Sequence, residues 1–137
     1  MDATNFIQQI SALLNADYTP HEDFLPDIVE LVNTEKEITK FFGLFTTRLI
    51  FLSENGTSAV VKLPKQFEKL KGGSPFYSMH MAVIDKNIRI LYFHGNTTIY
   101  LLHAFFERGG KRATDYTHAI EVAYKRLNDL IFGGIDL

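Results

Sequence analysis

The sequence contains no cysteine, which excludes a disulfide framework, a thiolate zinc site and a cysteine nucleophile. That lack suits a reducing compartment. Long apolar runs are missing as well: the longest, such as Ile99–Phe106, fall far below the roughly 18 residues that would suggest a membrane span. No basic segment precedes an apolar stretch at the N-terminus, so no secretory signal is expected, and the reading is a cytoplasmic protein with no membrane attachment. Neither Gly72-Gly73-Ser74 nor Gly109-Gly110 has the spacing of a phosphate-binding loop, and there is no Gly-x-Ser-x-Gly elbow. No repeat, low-complexity stretch or Pro/Gly/Ser linker divides the chain.

What is present is a single chain of 137 residues, 46% hydrophobic, enough for one domain (1–137) with its own core. The net charge of −2 hides an uneven distribution. Residues 1–61 hold three Lys and Arg against nine Asp and Glu, a net of −6, whereas residues 62–126 hold eleven against five, a net of +6. A chain divided in this way can offer a basic face to phosphates while staying near neutral overall, although solvated surface alone produces the same asymmetry.

Element type changes near residue 55. Phe6, Ile10, Leu13 and Leu14 predict a helix over 2–15, and Pro26 fits the first turn of a short helix ending at Val32. Residues 1–33 thus read as an N-terminal helical extension. Thr34 and Glu37 have capping-box spacing, in which each side chain satisfies the other residue's free N–H. Behind them Ile38, Phe41, Phe42, Phe45, Leu49 and Leu52 keep a helical spacing up to a stop at Asn55-Gly56. Strand-like runs over 76–84, 88–94 and 98–106 follow, separated by the hairpin-sized gaps Asp85-Lys86-Asn87 and Gly95-Asn96. A last helix over 114–131 carries the stripe Tyr116, Ile120, Ala123, Leu127 and Leu130, ended by Gly133-Gly134. The expected fold class is α+β: N-terminal helices packed on a small twisted antiparallel sheet, with a C-terminal helix.

Several stretches carry a resemblance to a known family. They are Lys69-Leu70-Lys71-Gly72 before the meander, Phe76-Tyr77-Ser78-Met79-His80, Ile88-Arg89-Ile90-Leu91-Tyr92, Leu101-Leu102-His103-Ala104-Phe105, and Ala123-x-x-Arg126-x-x-Asp129 on the closing helix. In this order, over roughly residues 65–130, the chain resembles the RelE/ParE superfamily, and within it the phage-derived HigB-like toxins. Ser78 and His80 stand where that family usually has Glu and Arg. Glu107 takes a lysine position in the following loop, which lacks the family's proline.

The resemblance implies a RelE-like fold and the toxin of a type II toxin–antitoxin pair, an endoribonuclease that cuts mRNA on the ribosome and so inhibits translation. It implies a cognate antitoxin, often a helix-turn-helix protein, as partner. The ribose 2′-OH attacks the neighbouring phosphate, so neither metal nor cofactor is called for. Such chemistry wants a proton acceptor, a proton donor and fixed positive charge around the phosphorus. Arg89, mid-strand in an apolar run, should reach a face open to solvent or substrate, its alternative being a surface ion pair with an acid such as Asp85. The family's equivalent arginine contacts the scissile phosphate. Arg108 joins it as a phosphate-stabilising candidate. His80 is the acid–base candidate, since imidazole titrates near neutrality, and Tyr116 could donate a proton or stack on a base. Lys71, Lys111 and Arg112 are expected to bind RNA.

Several residues read as structural instead: His103 as a core histidine, His118 as solvent-facing, Phe41, Phe42 and Phe45 as core, and His21-Glu22-Asp23 as a polar run without converging metal ligands. The alternative function is a RelE/ParE-fold binding module that poisons DNA gyrase or only engages an antitoxin.

Overall fold

The computed structural model describes residues 1–14 and 17–132. The order of elements is α1 (Ala3–Leu13), β1 (Tyr18–Pro20), α2 (Phe24–Leu31), α3 (Glu35–Asn55), a 3-10 turn (Gly56–Ser58), the single-turn α4 (Ala59–Lys62), β2 (Phe67–Lys69), β3 (Tyr77–Val83), β4 (Lys86–His94), β5 (Ile99–Phe106) and α5 (Arg112–Phe132). Residue 15, the expected end of the first helix, and the Gly133-Gly134 stop lie outside the described residues. No helix among the described residues is long and apolar enough to cross a membrane.

The α+β class holds, but the sheet is mixed rather than antiparallel. Its order is β1-β5-β4-β3-β2, with β1 parallel to β5 and the other pairs antiparallel. Three residues ending in a proline are too short to show a period of two, which is why β1 escapes the pattern. Pro20 has no N–H to give and fits an edge strand. At the first hairpin, Val83 pairs with Lys86, so the turn is Ile84-Asp85 rather than the expected Asp85-Lys86-Asn87. Ile84 adopts φ +59, a conformation that a β-branched residue enters only at a cost.

Helices cover both faces of the sheet. On one face α1, α2 and α3 bury Phe6, Ile10, Phe24, Ile28, Phe41, Phe45 and Leu52 against Met79, Met81, Ile88, Ile90 and Tyr92. Each such side chain, fully buried, contributes about 1.5–3 kcal/mol. Phe41 and Phe45 lie one helical turn apart with ring centroids 5.1 Å from each other, and Phe24 packs at 6.2 Å from Phe45. The α3 start is capped as the sequence predicts on one side, with Glu37 N–H donating to Thr34 Oγ1 at 3.1 Å. The Glu37 carboxylate reaches one residue further back, accepting from Asn33 N–H at 2.9 Å, and also meets Lys86 Nζ at 3.1 Å. On the other face α5 lays Tyr116, Ala119, Ala123 and Leu127 over Leu70, Phe76, Leu91 and Leu102.

A register shift between Leu91 and Tyr92 leaves one extra residue in β5, since Leu91 pairs with His103 but Tyr92 with Leu101. Leu101 and Ala104 then belong to the α1–α3 face, while Leu102 packs under α5. His103 lies off the simple alternation, mostly buried as expected. Its Nδ1 is 2.8 Å from Asp27 Oδ2 on α2, and Arg126 of α5 bonds both oxygens of the same carboxylate. Burial alone would raise the Asp27 pKa, but hydrogen bonds from His103 and Arg126 more than offset it and hold the carboxyl below its ordinary range.

Removing one member of such a buried group strands the others. We expect Asp27→Ala to lower the unfolding free energy by about 3 kcal/mol in urea denaturation at pH 7. Because the folded-state pKa is depressed, the contribution is complete above the unfolded value of 3.8 and fades as pH falls through the lower folded value. The deficit of the variant should shrink in that acid window, and a deficit independent of pH there would refute the assignment.

Candidate functional site

Alternation along β3 and β4 sends Ser78, His80 and Arg89 to the α5 face, and His80 and Arg89 are direct cross-strand partners. Glu68 on β2 is the cross-strand partner of Ser78. The first turn of α5 brings Arg112 and Tyr116 over this group, and Glu107 enters from just beyond β5, its N–H bonded to Asn87 O at 2.9 Å.

The contacts form one connected network. Ser78 Oγ is 3.0 Å from the Tyr116 hydroxyl, which is 3.4 Å from His80 Nε2. The same nitrogen is 3.2 Å from Glu68 Oε1. Arg112 donates through Nη2 to both Glu68 oxygens, at 2.9 and 3.0 Å, and through Nη1 to Glu107 Oε1 at 3.0 Å. Arg89 Nε donates to that Glu107 oxygen at 3.1 Å. The Arg112 guanidinium lies over the Tyr116 ring, 4.5 Å from its centroid.

Burial depresses the His80 pKa first, and Arg89 adds to this. Glu68 opposes it, and the net shift is downward, so the imidazole is neutral at neutral pH and able to accept a proton. Burial raises the Tyr116 pKa against the Ser78 hydrogen bond, which keeps the phenol protonated. A proton acceptor, a proton donor and two guanidinium groups thus share one end of a sheet face.

Four of the residues singled out from sequence meet here: His80, Arg89, Tyr116 and Arg112. Lys71 lines a neighbouring cavity of about 390 Å³ together with Glu68, Arg112 and Tyr116. Arg108 stands apart: its guanidinium and backbone N–H both bond the Asp115 carboxylate, in a groove formed with Phe105 and Phe106. Lys111 lies exposed on the intervening loop, with its backbone N–H on Arg108 O at 3.1 Å.

Arg89 is not open to solvent as the sequence suggests. Its side chain is 13% exposed and pairs with Glu107 rather than Asp85. The cross-strand partner of Arg89 is Phe105, and Glu107 lies two residues further along on the same face, whereas Asp85 is four residues away along an extended strand.

Glu68, Glu107 and Ser78 were not among the candidates. Glu107 had a signal, being an acid in a basic loop, while Glu68 lies in a strand of three residues with no readable pattern. His21, Glu22 and Asp23 do bring ligand atoms within 4.8 Å of one another. Both His21 nitrogens are engaged, however: Nδ1 accepts from Asp23 N–H at 3.0 Å and Nε2 lies 3.0 Å from Asp129 Oδ2. The chain matches no protein-family model, no curated protein and no solved structure.

The His80 titration tests this electrostatic account. Followed by NMR of its ring protons, His80 should titrate below 6.5. Arg112→Gln should move it upward by removing a repelling charge, and Glu68→Gln should move it further down. A midpoint at or above 6.5 in the unsubstituted protein would contradict the arrangement.

Proposed function

We propose that this chain is an endoribonuclease of the RelE/HigB kind, the toxin of a type II toxin–antitoxin pair, cutting mRNA by transfer to the ribose 2′-oxygen without a metal. The observation that carries the reading is the hydrogen-bonded set of His80 and Tyr116 beside Arg89 and Arg112. In this reading His80 takes the 2′-OH proton, the 2′-oxygen bonds the adjacent phosphorus, and the 5′-oxygen leaves with a proton from Tyr116. The products are a 2′,3′-cyclic phosphate and a 5′-hydroxyl. Arg89 and Arg112 offset the negative charge gathering on the phosphorus oxygens, for which a guanidinium fork is well shaped. Lys71, Lys111 and Arg108 guide the RNA strand. The partners that follow from the resemblance are mRNA on the ribosome and a cognate antitoxin of helix-turn-helix type, in the cytoplasm.

One observation favours a second reading. Glu68 and Glu107 cancel the charges of Arg89 and Arg112, which suits a RelE/ParE-fold module that binds gyrase or an antitoxin and cleaves nothing.

Expression of the protein alone in growing bacteria, with transcriptome-wide mapping of RNA 5′ ends, separates the two. The nuclease reading expects growth arrest with new in-frame cuts, lost in the His80→Ala, Arg89→Ala double variant. With purified components, His80→Gln should slow cleavage by about 10²–10⁴-fold. Arrest with intact RNA would favour the binding module.

A further inference from the structure

Every strong cation of the site already holds an anion, and the anions belong to the chain itself. Arg112 Nη2 donates to both Glu68 oxygens and Glu107 Oε1 accepts from Arg112 Nη1 and Arg89 Nε, so two carboxylates occupy guanidinium donors that a phosphate would take. The two halves of this arrangement differ. Arg89 and Glu107, 13% and 15% exposed, are held by the sheet. Arg112, 49% exposed, is the first residue of α5 and follows a loop containing Gly110 at φ +75. Its guanidinium lies across the Tyr116 ring, and its partner Glu68 lies against His80. Tyr116 and His80 beneath are only 7% and 18% exposed.

Resting on the nuclease reading above, we infer that Arg89 and Arg112 form a binding site for one diester phosphate of single-stranded RNA, which Glu68 and Glu107 fill in the resting molecule, with Arg112 as the strap that opens it. The Arg112–Glu68 pair is the part that yields. It is solvent-exposed, and exposed ion pairs are weak, whereas Arg89 stays fixed in mid-strand. A phosphate that draws Arg112 off Glu68 exchanges one bidentate anion for another. The same movement lifts the guanidinium from Tyr116 and uncovers Tyr116 and His80 to the strand. The chemistry is thereby tied to occupancy of the phosphate site, and the covered state accounts for a site whose formal charges cancel.

The test is binding of a fluorescein-labelled 2′-O-methyl RNA oligonucleotide, which lacks the 2′-OH and cannot be cut, measured by fluorescence anisotropy at low salt. Glu68→Gln keeps the shape of the side chain, removes its charge and leaves Arg112 paired with Glu107 alone, so it should bind about fivefold more tightly than the unsubstituted protein, a gain on the scale of one exposed ion pair. Arg112→Ala should bind more weakly, and the Glu68→Gln, Arg112→Ala double variant should gain nothing over Arg112→Ala. Glu54→Gln, on the exposed end of α3, removes the same charge elsewhere and should leave binding unchanged.

Unchanged or weaker binding by Glu68→Gln would overturn the strap. So would an equal gain in the Arg112→Ala background or with Glu54→Gln, since either would mean a general charge effect. Cleavage of unmodified mRNA on translating ribosomes, assayed in parallel, distinguishes the two ideas. The binding pattern without cleavage keeps the strap and defeats the nuclease reading, and cleavage without the pattern does the reverse.

Discussion

Beyond Leu101, strand β5 has no strand beside it on its outer edge among the described residues, because β1 ends at Pro20 and the chain turns away after His21 N–H has bonded Leu101 O at 2.9 Å. An open edge there would leave backbone groups without partners beneath two helices. The Asp27 carboxylate takes the place of the missing strand. It accepts the Ala104 N–H at 3.3 Å, and Arg126 Nη1 donates to Leu102 O at 2.9 Å while bonding the same carboxylate. Acid, imidazole and guanidinium come from α2, β5 and α5, so one buried group fixes the helices of opposite faces to the same stretch of sheet. The groups desolvate one another, and what makes this tolerable is that each has hydrogen-bond partners as well as an opposite charge.

That clamp has consequences 10 residues and more away along α5. With Arg126 anchored, and Ala119, Ala123 and Leu127 buried over Leu91 and Leu102, the helix axis is set by its apolar middle. Its first turn then arrives over the polar end of the sheet, where Tyr116 meets Ser78 and Arg112 meets Glu68 and Glu107. The sheet face under α5 thus changes character along its length, from Phe76, Leu91 and Leu102 to His80 and Arg89. Burial at the polar end is the main cause that keeps His80 neutral, and the two arginines reinforce it against the opposing pull of Glu68 and Glu107.

Much of this was legible from residue pattern. The cap and apolar stripe of α3, the three-strand meander and the stripe of α5 follow from residue patterns long enough to be read, and the positions of His80, Arg89 and Tyr116 follow from them. Arg112, expected on the loop before a helix beginning at 114, opens that helix instead. What escaped had no period to count. Strands β1 and β2 are three residues each, and one of them carries Glu68. The extra residue in β5 shifts His103 relative to Leu101 and cannot be inferred without knowing the register across β4. Pairing escaped for a related reason: that Arg89 meets Glu107 and not Asp85 depends on where two strands lie side by side, a matter of tertiary structure. The uneven charge of the chain pointed to a basic surface but could not reveal that its arginines are already matched.

The excess positive charge of residues 62–126 is therefore carried at the surface by lysine rather than by arginine. Lys62, Lys65, Lys69 and Lys71 are exposed along α4, β2 and the turn that follows, and β2 is the outer strand of the sheet. Where their contacts are seen they are with neutral groups: Lys62 Nζ donates to Asn55 Oδ1, and Lys69 Nζ donates to Ser74 O and sits over the Tyr77 ring. Lysines on an edge strand discourage pairing with another chain, and the same row keeps its full charge toward solvent. Under the proposed function, long-range attraction of the RNA would fall to these lysines and short-range handling of one phosphate to the arginines. Flexible, hydrated ammonium groups suit the first task, and planar guanidinium groups held by carboxylates suit the second.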